Sequence, residues 1–352
     1  MIVAELSANH GHRLDIALES VRAAAKAGAD AIKIQTYTAD TITLDCSAPD
    51  FIVTGGTLWD GRTLHNLYEE AYTPWEWHEA IFTEARKAGI TCFSTPFDKT
   101  AVDFLEALGN PIYKIASFEI TDIPLISYAA SKGKPMVIST GIATLEDIEL
   151  AVNACLQAGN TDITLLKCTS AYPAPISAAN LLTMKNMKQR FGPDPTIDFP
   201  GVKIGLSDHT IGSEVALTAA ALGATMVEKH FILDRSIGGP DAAFSMEIPD
   251  LARLVTRIRT LDSLTEQKEY ICEEALGTVS YPTDPATIPG RQFCRSLYVA
   301  EDMKAGDTIT EQNVRSVRPG YGLSPRYLPD ILGKQVSHDL PKGTRFSLDL
   351  LA

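Results

Sequence analysis

Short apolar runs recur along the first 260 or so residues, each followed by a longer segment whose apolar positions fall three and four apart. The runs 2–8, 31–35, 91–95, 112–115, 135–139, 163–167, 203–207 and 226–230 are too short for helices and predict strands. The segments 14–27, 75–88, 101–107, 123–131, 145–157, 181–190, 214–221 and 251–264 predict amphipathic helices, with Gly28 and Gly89 placed where glycine ends one. Eight strand–helix repeats predict an α/β fold, a (β/α)8 TIM barrel, over residues 1–265. A doubly wound open sheet is disfavoured, because no Gly-x-Gly-x-x-Gly follows the first strand.

The periodicity then weakens. Residues 266–290 read as a linker, rich in Pro and Thr from 278 onward, and 291–352 as a small β-rich domain with glycine turns. Within that domain Asp302-Met-Lys-Ala-Gly and Asp339-Leu-Pro-Lys-Gly share a pattern, which suggests an internal pseudo-repeat. A domain this small is only marginally stable alone, so it is expected to dock on something. Residues 37–72, with Phe51, Gly55-Gly56 and Leu58-Trp59, are too long for an ordinary connection and read as a lid or substrate wall. The Pro-rich stretch 192–201 reads as a surface loop without a function.

A barrel carries its chemistry at the C-terminal ends of its strands, and here those ends are polar. They supply Glu5, Ser7 and Asn9; Lys33 and Gln35; Ser94 and Thr95; Lys114, Ser117 and Glu119; Ser139 and Thr140; Lys167, Thr169 and Ser170. The last two strands each end in a histidine, His209 and His230, whose spacing fits one strand–helix–strand unit. Imidazoles at neighbouring strand ends can share a divalent cation. The plainer reading, two histidines bonded to rim carbonyls, is outweighed by the flanking Ser207, Asp208, Glu228 and Lys229. Lys33 and Lys114 inside a rim would be costly unpaired charges, so an anionic partner is expected.

The net charge of −13 argues against nucleic acid and requires any anionic substrate to be gripped by local cations. There is no apolar run long enough to span a membrane, no secretory signal is visible and none is expected, and the six scattered cysteines lack any Cys-x-x-Cys pair. A cytoplasmic protein with reduced thiols is expected.

The motifs Glu5-Leu-Ser-Ala-Asn-His, Lys33-Ile-Gln, Ser94-Thr-Pro-Phe, Lys114-Ile-Ala-Ser-Phe-Glu, Ser139-Thr-Gly, Cys168-Thr-Ser-Ala-Tyr-Pro, Gly205-Leu-Ser-Asp-His-Thr and Glu228-Lys-His-Phe resemble, in that order, the sialic acid synthase family. Arg295-Ser-Leu and Arg318-Pro-Gly-Tyr-Gly-Leu resemble its C-terminal antifreeze-like (SAF) domain. Leu58-Trp-Asp and the run from Leu67 to His78 are most similar to the branch of pseudaminic acid synthases. Ser170 and Lys167 stand where many members have Asn and His, which bears on which sugar is taken.

The resemblance implies condensation of phosphoenolpyruvate with an open-chain acetamido sugar, 2,4-diacetamido-2,4,6-trideoxy-L-altrose in that branch. It also implies Mn2+ or Mg2+ and a domain-swapped homodimer in which each C-terminal domain caps the partner's barrel. N-acetylneuraminate or legionaminic acid synthesis are the alternatives within the family. Carried onto this sequence, it implies a metal on His209 and His230, and Lys33 and Lys114 on the phosphate and carboxylate. Thr95, Ser117, Ser139, Ser170 and Ser207 are implied as donors, with Tyr172 and Asp241 near the sugar and Arg295 reaching a neighbouring site. Glu5 and Glu119 are candidates for proton transfer, or counter-ions of the two lysines. Each hydroxyl can instead be a strand-end cap, and Arg295 a surface cation. Trp75, Trp77 and His78 read as packing. Two readings from other classes stay open: a Schiff-base aldolase on Lys33, Lys114 or Lys167, and a non-catalytic glycan-binding protein.

Overall fold

A computed structural model describes residues 1–54, 61–261 and 270–352. Eight parallel strands close in sequence order: β1 (Ile2–Glu5), β2 (Ala31–Thr36), β3 (Thr91–Pro96), β4 (Tyr113–Ile115), β5 (Met136–Ser139), β6 (Ile163–Cys168), β7 (Lys203–Asp208) and β8 (Val227–His230). β8 pairs back onto β1, with Glu5 opposite His230. Helices Leu14–Lys26, His78–Ala88, Lys99–Ala107, Ile123–Ala130, Leu145–Gln157, Leu182–Arg190, Glu214–Ala221 and Ile248–Leu261 form the outer ring. The expected (β/α)8 barrel is the one observed. β1 is shorter than its apolar run because the chain turns at Ser7, which has φ +47°. Residues 262–264 of the expected last helix lie outside the described residues.

Strand pleating explains the layering. Residues two apart point to the same face, so each strand sends alternate side chains to the ring of helices and to the barrel interior. Val3, Ala31, Phe93, Val137 and Leu166, from five of the strands, pack with Ile112 and Met226, which stand just before β4 and β8, as an apolar floor. At β7 the floor position is Gly205, where a Cβ would lie 2.5 Å from the Met226 carbonyl oxygen and 2.6 Å from Leu166. Only glycine lets the wall close there. Some of the ring helices begin on side-chain caps: Asp98 accepts from the Ala101 amide, and Thr144 forms a capping box with Asp147.

The excursion after β2 is a dock more than a free wall. Its helices Ala39–Ile42 and Leu64–Ala71 pack on each other over the barrel mouth, through a cluster that includes Tyr37, Ile42, Leu64, Tyr68 and Phe97. Gly55, Gly56, Leu58 and Trp59 lie outside the described residues. On this saddle sits the C-terminal module, built around the antiparallel pair β9 (Ser296–Val299) and β10 (Val314–Val317) and a core of its own that includes Leu297, Val299, Val336 and Phe346. The two pseudo-repeats pair with each other, Met303 and Leu340 exchanging backbone hydrogen bonds of 2.8 Å. The module is held by Arg318 N–H to the Ile42 carbonyl (2.9 Å), Tyr298 hydroxyl to Asp50 (2.6 Å) and Ser316 hydroxyl to Asp122 (2.6 Å). Arg345 also pairs with Asp50. Among the described residues no helix is long and apolar enough to cross a membrane, and all six cysteines are free thiols.

Candidate active site at the barrel mouth

One pleat step above the floor the interior changes character. Glu5, Lys33, Thr95, Lys114, Ser139, Cys168, Ser207 and Glu228 occupy the inward positions, all buried. Lys33 Nζ lies 2.6 Å from Glu5 and 3.8 Å from Glu228; Lys114 Nζ lies 3.8 Å from the other Glu228 oxygen. Ser207 donates to Glu228 at 2.9 Å, and Thr95 Oγ1 is 3.4 Å from Lys33 Nζ. Glu5 is thus a counter-ion of Lys33, one of its two expected readings; the carboxylate not anticipated between the lysines is Glu228 of β8, two residues before its histidine.

The balance of charge in this cluster is uneven. Burial pushes the Glu228 carboxyl up, but Lys114, Lys33 and the Ser207 hydroxyl outweigh it and hold the group below its ordinary value. Burial pushes Glu5 up more than Lys33 pulls it down, so it takes a proton more readily than a free carboxylate. Lys33 stays above the ordinary amine value, because Glu228 and Glu5 outweigh its burial. Lys114 falls below its ordinary value through burial, with repulsion from Lys33 adding to it.

His209 and His230 stand side by side above this cluster, ring centroids 5.2 Å apart. His209 donates Nδ1–H to the Thr169 carbonyl at 2.9 Å, so in the neutral ring Nε2 carries the lone pair. Burial, followed by the nearby His209, Lys33 and Lys229, holds His230 well below its ordinary value and therefore neutral. Its Nδ1 has no hydrogen-bond partner and lies 3.7 Å from Asp241. Phe244 packs edge-on against His230 at 4.9 Å and Tyr172 tilts over His209 at 4.4 Å. Burial pushes His209 down, but Cys168 and the Thr169 carbonyl outweigh it and hold the ring above its ordinary value, so a cation on Nε2 would have to displace a proton. The two imidazoles are donors suited to a divalent cation, one oriented by a carbonyl and one neutral with an orphaned nitrogen; among the described residues no group of three metal-binding side chains is assembled. Further coordination positions would be left to water or substrate oxygens.

A cup of hydroxyls lies across from the histidines. Ser117 Oγ accepts the Gly141 amide at 3.1 Å, while Ser139 Oγ and Ser170 Oγ are buried without partners. A Cβ at Gly141 would fall 2.2 Å from Ser170 Oγ, 2.9 Å from Ser117 Oγ and 3.0 Å from Cys168 Sγ. The cup therefore needs glycine to stay open, and its two orphaned hydroxyls point to a ligand with acceptor oxygens.

Several residues fall elsewhere than the strand-end argument puts them. Asp208 and Lys229 flank the histidines in sequence but alternate to the outer face, where they pair at 2.9 Å. Lys167 likewise turns away and donates to the Cys168 carbonyl at 2.9 Å, so it is not a mouth residue. Glu119 is not a counter-ion of the lysines. It accepts two bonds, at 3.1 and 2.7 Å, from Arg318 of the C-terminal module, which also reaches Tyr68 at 3.1 Å. Arg295 is buried behind them, donating to the Ser316 and Thr41 carbonyls with Nε 3.6 Å from Glu119. Sequence reasoning missed Arg318 as a site residue; the one signal was its motif in the module, which carries no hint of a partner 199 positions away.

The NeuB family model matches residues 20–270 and the SAF domain model residues 295–352. The chain is 44% identical to a pseudaminic acid synthase of Campylobacter jejuni over 97% of its own length and 94% of the relative. It is 45% identical to a pseudaminic acid synthase of Helicobacter pylori, over 99% and 96%. An N,N'-diacetyllegionaminic acid synthase of Campylobacter jejuni is 34% identical over 95% of each chain. Among solved structures, the spore coat polysaccharide biosynthesis protein SpsE of Bacillus subtilis superposes with a TM-score of 0.83 at 29% identity, covering 100% of this chain and 95% of that one. With barrel and module matched in order and the relatives named as synthases, the chain belongs to the NeuB family.

Proposed function

We propose that the chain is a pseudaminic acid synthase, joining phosphoenolpyruvate to 2,4-diacetamido-2,4,6-trideoxy-L-altrose with release of phosphate. The reading is carried by one observation: two adjacent imidazoles, one with its lone pair free, face a cradle of two ammonium groups and two orphaned hydroxyls. The choice of sugar rests on the relatives, 44–45% identical for the two pseudaminic acid synthases against 34% for the legionaminic one.

In this reading His209 and His230 hold Mn2+ or Mg2+, which when bound supplies Lewis acidity at the sugar aldehyde oxygen. Lys33 and Lys114 hold the phosphate and carboxylate of phosphoenolpyruvate, Glu228 keeping the pair ionised and apart until the anion arrives. Ser139 and Ser170 fill their empty valences on phosphate oxygens; Ser117, Thr95 and Ser207 complete the donor set. Glu5, whose carboxyl is pushed up by burial, handles a proton of the water added at C2. Tyr172 and Asp241 border the sugar beside the histidines, and Arg318 and Arg295 orient Glu119 toward it.

The test is to incubate purified protein with phosphoenolpyruvate and a panel of diacetamido and monoacetamido hexoses, scoring inorganic phosphate before and after chelation. Phosphate release with the diacetamido altrose, lost on chelation and restored by Mn2+, is expected. Release that ignores chelation would overturn the metal assignment; preference for a monoacetamido sugar would overturn the substrate. An aldolase reading keeps one support, the lowered Lys114 amine, and borohydride trapping of a substrate adduct there would favour it. Within one chain the module already sits on its own barrel, with Arg318 on Glu119; the swapped homodimer proposed with the activity would remake that same contact between two chains. Mixing inactive His209→Ala chains with impaired Arg318→Ala chains should then raise activity above that of either alone; no rise on mixing would count against the swap.

A further inference from the structure

The outer face of the strands that carry the two histidines holds a closed ring of bonds that the proposed chemistry does not use. Asp208 Oδ1 accepts the Thr210 amide at 2.9 Å and the Thr210 hydroxyl at 2.8 Å, so residues 208 and 210 are tied together around His209. Asp208 Oδ2 accepts from Lys229 Nζ at 2.9 Å, and the same Nζ reaches the Thr210 carbonyl at 2.6 Å. Asp208 and Lys229 face each other in the β7–β8 register, and Lys229 immediately precedes His230. Both side chains are about 2% exposed, out of reach of any substrate in the mouth. A buried ion pair of this kind is weak as a source of stability, since apolar residues of similar shape commonly serve as well. What it does fix is relative position: one ammonium group bonded to both flanks of His209 from the residue beside His230.

We propose that Asp208 and Lys229 are positioning residues that clamp the ends of β7 and β8, setting the spacing of the His209 and His230 imidazoles and hence the affinity for the divalent cation. The proposal rests on the metal reading of those histidines. The inner contacts leave room for such a role. His209 is anchored by the Thr169 carbonyl, and its own carbonyl accepts the Ala174 amide at 3.0 Å, both from the β6 side. His230 is anchored through the Met246 amide to its carbonyl at 2.8 Å, from the loop after β8. The clamp ties β7 to β8 on their outer face at the histidines themselves, one residue beyond the Ser207–Glu228 bond on the inner face.

The test measures Mn2+ binding by titration calorimetry and by the electron paramagnetic resonance signal of free Mn2+, on wild type, His230→Ala and Asp208→Asn/Lys229→Met. The double variant keeps the acceptor for Thr210 and removes both charges, so no buried ion is left unpaired. Its melting temperature should stay within a few degrees of wild type, while Mn2+ affinity falls roughly ten- to hundredfold, the usual effect of losing an outer partner of a metal site. Wild-type affinity in the double variant, with binding lost in His230→Ala, would overturn the clamp and leave the metal reading standing. No Mn2+ uptake by wild type would overturn the metal reading itself, and the clamp with it. Should the double variant not fold, Thr210→Val removes only the hydroxyl bond to Asp208; roughly two- to fivefold weaker Mn2+ binding is then expected on the same grounds, and unchanged affinity overturns the proposal.

Discussion

The floor and the mouth of the barrel are built by the same strands two residues apart, and they obey opposite rules. Val3 and Glu5, Ala31 and Lys33, Phe93 and Thr95, Ile112 and Lys114, Val137 and Ser139, Met226 and Glu228 are successive inward positions. Below, every side chain is apolar and fills space; above, the side chains carry charges and hydroxyls, and the Ser139 hydroxyl has no partner. The side chains of both layers are buried, so exposure does not separate them. The floor gains free energy from the burial that the mouth must offset with ion pairs. Stability and chemistry are thus stacked along each strand, and substitutions should separate them.

The largest effect is expected at the top. His209→Ala should cut Mn2+-dependent phosphate release roughly 10⁴-fold, the several kcal/mol that a Lewis acid contributes. Circular dichroism and the melting curve should change little. If turnover persists, the mouth is not the site and the two-layer comparison loses its meaning.

The reverse is expected one layer down. Phe93 is fully buried in the floor, and Phe93→Ala should cost about 3–5 kcal/mol of stability in urea titrations. Turnover of the folded fraction should stay within a factor of a few, because Thr95 and Lys33 keep their places above it. A large fall in kcat at full saturation and unchanged stability would mean that the floor shapes the chemistry after all.

A third expectation concerns the module. Arg318 bonds Glu119 at the mouth, whereas Arg295 bonds mainly backbone carbonyls behind it. Arg318→Ala should lower kcat/KM roughly a hundredfold, in line with the loss of a buried charge-assisted bond. Arg295→Ala should lower it less, with the barrel still folded. Equal losses would return Arg295 to the role that the sequence alone assigns to it.

How far the sequence carried this picture depends on the range of each signal. The barrel was legible because Ile32, Lys33, Ile34 and Gln35 write the pleat into four consecutive letters, and Leu145–Gln157 writes a helical face in the same way. The histidine pair was legible because one strand–helix–strand unit fixes which ends are neighbours. The direction of Asp208 and Lys229 follows from the same alternation, yet their proximity to the histidines in sequence masks it. Arg318 against Glu119, and the 37–72 excursion as a saddle for the module, depend on docking between distant segments, which leaves no periodic trace. Where each lysine finds its carboxylate is likewise a matter of register across strands, set by the closed barrel and not by any one run.

The smallest expected effect sharpens the comparison from a region that is neither floor nor mouth. His78 sits between the barrel wall and its helix, Nε2 at 2.8 Å from the Thr36 hydroxyl and Nδ1 at 3.2 Å from the Pro74 carbonyl. Burial pushes it down to about 4, against the pull of the Pro74 carbonyl, from an ordinary 6.5. Between those values the unfolded chain binds a proton that the native ring refuses. The stability contribution is therefore whole above about pH 6.5 and is lost as pH falls toward 4. From pH 7 to 5 the loss is about 2 kcal/mol for this one group. Glu228, held below 4.5, contributes in the same direction only at lower pH, so the two windows are separable. Urea titrations of wild type and His78→Gln at pH 7, 6 and 5 should show the variant's stability falling less steeply by about that amount, with His10, also buried and lowered to about 4, keeping its own share. Parallel curves would show that His78 is protonated in the folded wall, and that buried polar groups outside the mouth are not held neutral by packing.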